Sequence, residues 1–261
     1  MSQFFGVLRH EFKMAVKRPG MWVAYGLLYI FYGFSVIQFD SSKSISNITI
    51  SEMLNTAGET MFILNMGMVL LGGILSADRM TRDFRLGVRE LQQSSPLKLS
   101  TYILAKYFAV LSAVITPMFI YILVLALIVV VVGAPILFAG IILVAFAAIA
   151  LPAYAFVVAF SLACPMFIPV RVYQVLFIGY WFWGNYLNPS AFPTISGTLL
   201  VPSGKYVLFG FFGGMSSMVT NIIPLSQARL EAVLNLLLLF GIVVLVLVAT
   251  RFILRRKVQR S

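Results

Sequence analysis

The sequence predicts an all-α integral membrane protein with six transmembrane helices in a single domain, residues 1–261. Hydrophobic residues make up 61% of the chain and charged residues 10%, against roughly 45–50% and 25% in soluble domains. Apolar runs close to the length that crosses a bilayer recur along the chain. Sixteen of the nineteen lysines and arginines lie on one side of those runs. The positive-inside rule therefore predicts a multi-pass plasma membrane protein with both termini in the cytoplasm.

The first segment, residues 2–19, has the pattern of an amphipathic helix lying in the membrane surface. Its cations recur every four residues on one arc, and its apolar residues share another arc. The residues of this interfacial helix are Phe5, Leu8, Arg9, Phe12, Lys13, Val16 and Lys17. A simple basic flank before the first span explains the same pattern and stays open as an alternative.

Six apolar stretches follow, which predict the spans. Their approximate limits are residues 21–39, 59–77, 103–132, 135–163, 170–187 and 230–250. The third and fourth are separated by two residues only and should form a tight hairpin, with Pro117 and Pro152 as candidate kinks. Glycines on the first two spans predict close helix approach; these are Gly26, Gly33, Gly67, Gly72 and Gly73.

A charged arm, residues 78–101, connects the second and third spans. Its first part, residues 78–92, predicts a helix with Met80, Phe84 and Val88 on one face. Asp78 precedes Arg82 by four residues, the favourable order for a helical ion pair. The arm is either a solvated cytoplasmic connector or a docking surface for a soluble partner, and the apolar face favours docking.

The segment 188–228 is apolar but is broken by prolines and glycines. This pattern predicts an extracellular element that is re-entrant or interfacial. Its part 206–225 has no charge and has the length of a seventh span. We reject that assignment because an odd number of spans would put the basic tail, residues 255–257, outside.

Motifs for catalysis are absent from the sequence. We find no His-Glu-x-x-His metal site, no Gly-x-Ser-x-Gly elbow and no Walker A loop, and the chain has one cysteine and one histidine. The sequence therefore predicts no catalytic residue, no metal and no cofactor of its own. The basic residues adjoin apolar spans, so they do not predict nucleic-acid binding; membrane lipid is the expected partner.

The spans contain almost no ionisable residues, which argues against a secondary transporter with coupling carboxylates. An intramembrane enzyme would need a carboxylate or histidine cluster near a span end, and none is found. Polar residues inside the spans, Asn65, Gln174, Asn185 and Asn235, predict hydrogen bonds between helices. A weaker interpretation makes Asn65 part of a cargo path, with Tyr25, Tyr29 and Tyr32 on one face of the first span.

The order of these elements resembles a known family, the permease subunit of type-2 ABC exporters. The shared features are the amphipathic N-terminal helix, six spans, a charged arm after the second span and a re-entrant stretch before the sixth. The residues of the arm that match the family pattern are Asp78, Arg82, Asp83, Gly87, Leu91, Ser95, Pro96 and Lys106. Val88 stands where the family usually has threonine.

The resemblance implies that the helix 78–92 is a coupling helix seated on a separate ABC ATPase, which would hold ATP and Mg²⁺. The expected coupling residues are Asp78, Arg79, Arg82, Asp83, Phe84, Arg85, Leu86, Gly87, Val88, Arg89, Glu90 and Pro96. It also implies a second permease subunit, in a homo- or heterodimer, and outward transport. The uncharged spans suit an amphipathic or hydrophobic cargo such as a lipid, a peptide or a drug-like molecule. A membrane scaffold without transport activity is the alternative.

Overall fold

The computed structural model describes residues 2–37, 48–85, 98–213 and 228–259, and all regular secondary structure in these ranges is helical. Four helices are long and apolar enough to cross a membrane: Ile50–Asp83, Leu99–Val131, Ile136–Met166 and Ala228–Arg255. These helices support the assignment to the helical membrane proteins. The count of six spans remains a prediction, as do the interfacial, coupling and re-entrant elements.

The helices follow the predicted order. Their limits are α1, Ser2–Val16; α2, Pro19–Ile37; α3, Ile50–Ser76; α4, Arg79–Arg85; α5, Leu99–Val131; α6, Ile136–Ala145; α7, Leu151–Ala163; α8, Val170–Asn185; α9, Lys205–Val207; and α10, Ala228–Gln259. A π-helical turn, Phe146–Ala150, joins α6 to α7, and a second, Leu208–Phe212, follows α9.

Helix α3 begins well before the apolar stretch that marks the second span. Thr49 caps it: the hydroxyl accepts from the backbone N–H of Glu52, and the Glu52 carboxylate accepts from the backbone N–H of Thr49. This capping box satisfies two backbone groups that a helix start leaves unpaired. Hydropathy misses these first turns because they are not continuously apolar.

The hairpin between α5 and α6 turns at Gly133, whose φ of +98° favours glycine. The second arm of this hairpin is interrupted by the π-helical turn Phe146–Ala150, just before Pro152. Proline has no N–H to donate and crowds the preceding turn, so a local change of helical register accommodates it. The sequence predicted an irregularity at Pro152 but not its π-helical form.

Three glycines of α3 lie at close helix contacts, as predicted. A methyl group added at Gly72 would lie 2.5 Å from the ring of Tyr154, and one at Gly73 would lie 2.5 Å from both Phe177 and Val157. Gly67 faces Tyr32 in the same way. The α2 glycines Gly26 and Gly33 differ, because an added methyl group would meet no described atom within 4 Å.

Amide side chains connect the helices to neighbouring segments, and the predicted hydrogen bond between helices is confirmed for Asn65 and Gln174, whereas Asn235 bonds to the connection before α9. Asn65 of α3 donates to the carbonyls of Ile149 and Ser203, at 3.3 and 3.2 Å. Asn235 of α10 donates to the carbonyls of Leu199 and Val201, and Gln174 of α8 donates to that of Ile74. Asn185 instead donates to Trp181, within its own helix.

Candidate functional site

The charged arm begins as a direct continuation of α3. Helix α4 follows after two residues, and its Met80 is fully buried against the bundle while Arg79 is largely buried. Phe84 and Arg85 form the end of α4. The remaining predicted coupling residues, Leu86, Gly87, Val88, Arg89, Glu90 and Pro96, lie outside the described ranges.

A buried ionic cluster connects the arm to two other helices. Lys106 of α5 is its centre, and only 1% of this side chain is exposed. The Lys106 ammonium lies 3.0 Å from a carboxylate oxygen of Glu11 on α1 and also donates to Asp83 at the end of α4. Tyr102, one turn before Lys106, donates its hydroxyl proton to the same Asp83 carboxylate. We call Glu11, Asp83, Tyr102 and Lys106 the Lys106 cluster.

The Lys106 cluster fixes the relative positions of α1, α4 and α5. A buried ammonium is costly unless charged partners and hydrogen bonds surround it, and here two carboxylates do so. Separating any of the three helices from the others would leave a charge without its partner in an apolar setting. The base of the arm is therefore bonded to α5 directly and to α1 through Lys106.

A second ion pair joins the start of the arm to the junction of α1 and α2. A guanidinium nitrogen of Arg18 lies 3.5 Å from both carboxylate oxygens of Asp78. The two side chains are 32% and 43% exposed, so water screens this pair. Within the described structure Asp78 pairs with Arg18 and not with Arg82, the partner expected from helical spacing. The distant arginine is preferred because the fold brings the end of α1 beside the start of α4.

A cleft with a volume of about 710 Å³ opens between these segments and the start of α8. Its polar lining consists of Arg18, Asp78, Thr81, Arg82, Arg171 and Gln174. We call it the arginine cleft. Three guanidinium groups and one carboxylate give its lining a formal charge of +2. Anions are thus the ligands it favours.

Helix α1 packs along α5, and this places its predicted interfacial residues. Arg9, Lys13 and Lys17 are exposed on one side, while Leu8, Phe12 and Val16 are partly buried. Phe5 is 62% exposed. The face against the bundle includes the acidic Glu11, so α1 is held by an ion pair as well as by apolar contact. Its position relative to a membrane surface remains a prediction.

The tyrosines proposed for a cargo path lie in the bundle core or beside it. Tyr25 and Tyr32 are buried, and they donate to the carbonyls of Val114 and Ile63 at 3.0 and 3.2 Å. The Tyr25 hydroxyl also lies 3.3 Å from that of Tyr154. Tyr29 stacks on Tyr121, with ring centroids 5.0 Å apart. These contacts are those of a packed helix interface; a role in cargo binding stays a prediction, as it does for the buried Asn65.

Lys205 is another buried cation, in the connection between α8 and α10 and outside the four apolar helices. It is 3% exposed and lies over the ring of Tyr206, 5.3 Å from the ring centroid. No carboxylate of the described residues forms an ion pair with it. Burial lowers the pKa of Lys205 to about 8, because the apolar surroundings disfavour the charged form.

Sequence reasoning missed the partners of the arm. The sequence pattern places Lys106 in the family motif but does not indicate Glu11 as its ion-pair partner. One signal was available, since Glu11 is the only acidic residue before Asp40, in a basic amphipathic helix. An isolated carboxylate of that kind indicates a specific cation partner elsewhere in the fold. Arg18 and Arg171 carried no such signal, because basic residues at span ends are explained by orientation alone.

The family resemblance rests on the order of the elements and on the residues of the arm. Comparisons of the chain with protein-family models, with curated proteins and with solved structures found no match.

Proposed function

We propose that this chain is the membrane-spanning subunit of an ATP-driven ABC exporter that moves an amphipathic or hydrophobic cargo outward. A separate ATPase subunit would dock on the charged arm and supply the energy, with ATP and Mg²⁺ bound to that partner. The observation that carries the proposal is the Lys106 cluster, which bonds the arm to α1 and α5. A transporter without coupling carboxylates deep in its spans needs an external motor, and such a motor needs a rigid point of attachment.

The Lys106 cluster supports a specific coupling path. Closure of two ATPase subunits around ATP would displace the two arms of a permease dimer. Because α4 continues α3, and because Asp83 is bonded to Lys106, such a displacement would be passed to α3, α5 and α1 together. Packed helices respond to displacement by moving as units. The tilt of these helices would then open and close a path along the dimer interface.

The proposal divides the coupling residues into two roles. Arg82 is exposed at the arginine cleft and is available to a partner. Asp83 is held inside the chain by Lys106 and Tyr102, so it would transmit movement and contribute less to docking. Phe84 and the residues from Leu86 to Glu90 remain predicted docking residues on sequence grounds. The same division applies in a homodimer and in a heterodimer.

Co-purification tests this function. The tagged chain would be extracted in mild detergent from its native membrane, and Mg²⁺-dependent ATP hydrolysis would be measured on the purified material. We expect ATPase activity with the wild type and its loss when residues 84–92 are replaced by a Gly/Ser linker of equal length. This replacement leaves Asp78 and Asp83 in place, so the Lys106 cluster is kept.

The matched control replaces residues 189–197, on the predicted outer side, by a similar linker and should retain the ATPase. Melting temperatures of both variants equal to that of the wild type would show that the bundle is intact in both. If no ATPase co-purifies with the wild type, or if it remains bound without residues 84–92, the exporter proposal fails. A scaffold without transport activity would then account better for the arm.

A further inference from the structure

The arginine cleft carries an inference beyond ATP-driven transport; it shares Arg82 with the proposed docking residues, and Arg18 and Arg171 are not among those residues. We propose that this cleft binds the phosphate headgroup of an anionic membrane lipid. Arg18 comes from the junction of α1 and α2, Arg82 from α4 and Arg171 from the start of α8. Three cations from separate parts of the chain thus converge on one cleft.

The charge of the cleft is incompletely neutralised. Asp78 is the one carboxylate in the lining, and it lies 3.5 Å from Arg18. Arg82 and Arg171 are exposed and form no ion pair with any residue in the described ranges. Guanidinium groups offer paired N–H donors that match the oxygens of a phosphate. Two unpaired guanidiniums beside a third provide the donors for one phosphate group.

The size and surroundings of the cleft favour a lipid. About 710 Å³ is within the usual range of small-molecule sites and accommodates a glycerophosphate headgroup. Helices α2 and α8 both begin at the cleft, and each presents an apolar side chain to the outside within its first turns. Val23 is 63% exposed and Val172 is 47% exposed. Acyl chains attached to a phosphate in the cleft would therefore lie on apolar helix surface.

The geometry also explains why the site would lie in the cytoplasmic leaflet. The cleft lies beside the junction of α1 and α2 and the start of α4, and this end of the bundle is the predicted cytoplasmic side. Basic pockets between helices at this level bind lipid headgroups in membrane proteins. A bound lipid would bridge α4 and α8 and would stabilise the position of the arm.

Native mass spectrometry of the full chain in detergent tests the proposal. The probes are dioctanoyl phosphatidylglycerol, dioctanoyl phosphatidylcholine and sn-glycerol 3-phosphate. We expect phosphatidylglycerol to bind about ten-fold more tightly than phosphatidylcholine, because the latter's choline opposes the arginines. An R82Q/R171Q variant should lose this preference. The matched control, R251Q/R255Q, removes two exposed arginines from α10, outside the cleft lining, and should keep it.

Three outcomes would overturn the proposal. The first is equal affinity for the two lipids. The second is a loss of phosphatidylglycerol binding in R251Q/R255Q as large as that in R82Q/R171Q, because binding would then reflect general attraction between charges. The third is displacement of phosphatidylglycerol by glycerol 3-phosphate or by a hexaglutamate peptide at the same concentration. That result would assign the cleft to a free phosphate or to an acidic partner protein. Equal melting temperatures of both variants would exclude misfolding as the cause.

Discussion

The ammonium nitrogen of Lys106 lies 3.0 Å from a carboxylate oxygen of Glu11, across the contact between α5 and α1. These residues are 95 positions apart in the sequence. Their pairing, together with Asp83, makes the base of the charged arm part of the helix bundle.

Replacing Lys106 with methionine should destabilise the protein by about 3 kcal/mol, because two carboxylates lose their shared cation in a largely buried site. The triple variant E11Q/D83N/K106M should recover much of the loss, since it removes the isolated charges. Thermal unfolding in detergent measures both effects. Lys13→Met, at an exposed position of α1, is the control. A melting temperature of K106M equal to that of the control would contradict a structural role for the cluster.

Substitution of Gly73 by alanine should destabilise the contact of α3 with α7 and α8. The added methyl group would lie 2.5 Å from Phe177 and from Val157. The side-chain and backbone shifts that make room for such a group lower the free energy of unfolding by about 1–3 kcal/mol. Gly26→Ala provides the comparison, since no described atom lies within 4 Å of the added group. That variant should be neutral or slightly more stable, because alanine favours helix more than glycine does. A G73A variant as stable as G26A would show that α3 packs differently.

Removal of the Tyr25 hydroxyl should cost about 1–2 kcal/mol, because its buried hydrogen bond to the Val114 carbonyl is lost. Tyr29→Phe is the matched variant: the Tyr29 hydroxyl is buried and has no hydrogen-bond partner among the described residues. Phenylalanine there should be neutral or stabilising. Chemical denaturation of the two variants in the same detergent gives the difference, and an equal effect would rule out the hydrogen-bond assignment.

Lys205 predicts a pH dependence of stability. Its pKa falls from 10.5 to about 8 on folding, so between these values the unfolded chain binds more protons than the folded chain. Stability should therefore rise as the pH increases from about 8 toward 10.5, and the total gain is on the order of 3 kcal/mol. Melting temperatures measured across this range should rise in the wild type.

The K205M variant should lack this rise and should be more stable than the wild type at pH 7. Lys98→Met, at an exposed lysine, should follow the wild-type profile. If K205M and the wild type respond identically to pH, Lys205 is solvated and the cause of any pH dependence lies elsewhere.

Local patterns were sufficient to predict much of this fold. Most helices from α1 to α8 begin and end within a few residues of the predicted limits. Helix α3 is an exception because it starts early. Helix α4 is the other, since the rest of its predicted length lies outside the described residues. The roles of Gly72 and Gly73 were also predicted, since small residues in apolar helices mark close contacts. These features depend on residue size and polarity over one or two helical turns, and the sequence contains that information directly.

The sequence by itself determined an all-helical chain of membrane-protein character and the order of its helices. Tertiary structure decided which charges meet. Asp78 pairs with Arg18 and not with Arg82, and Lys106 lies between Glu11 and Asp83. The arginine cleft likewise exists only where three distant segments converge. The physical reason is that an ion pair depends on a few ångströms of separation in space, and the spacing of residues along one helix does not fix that distance between helices.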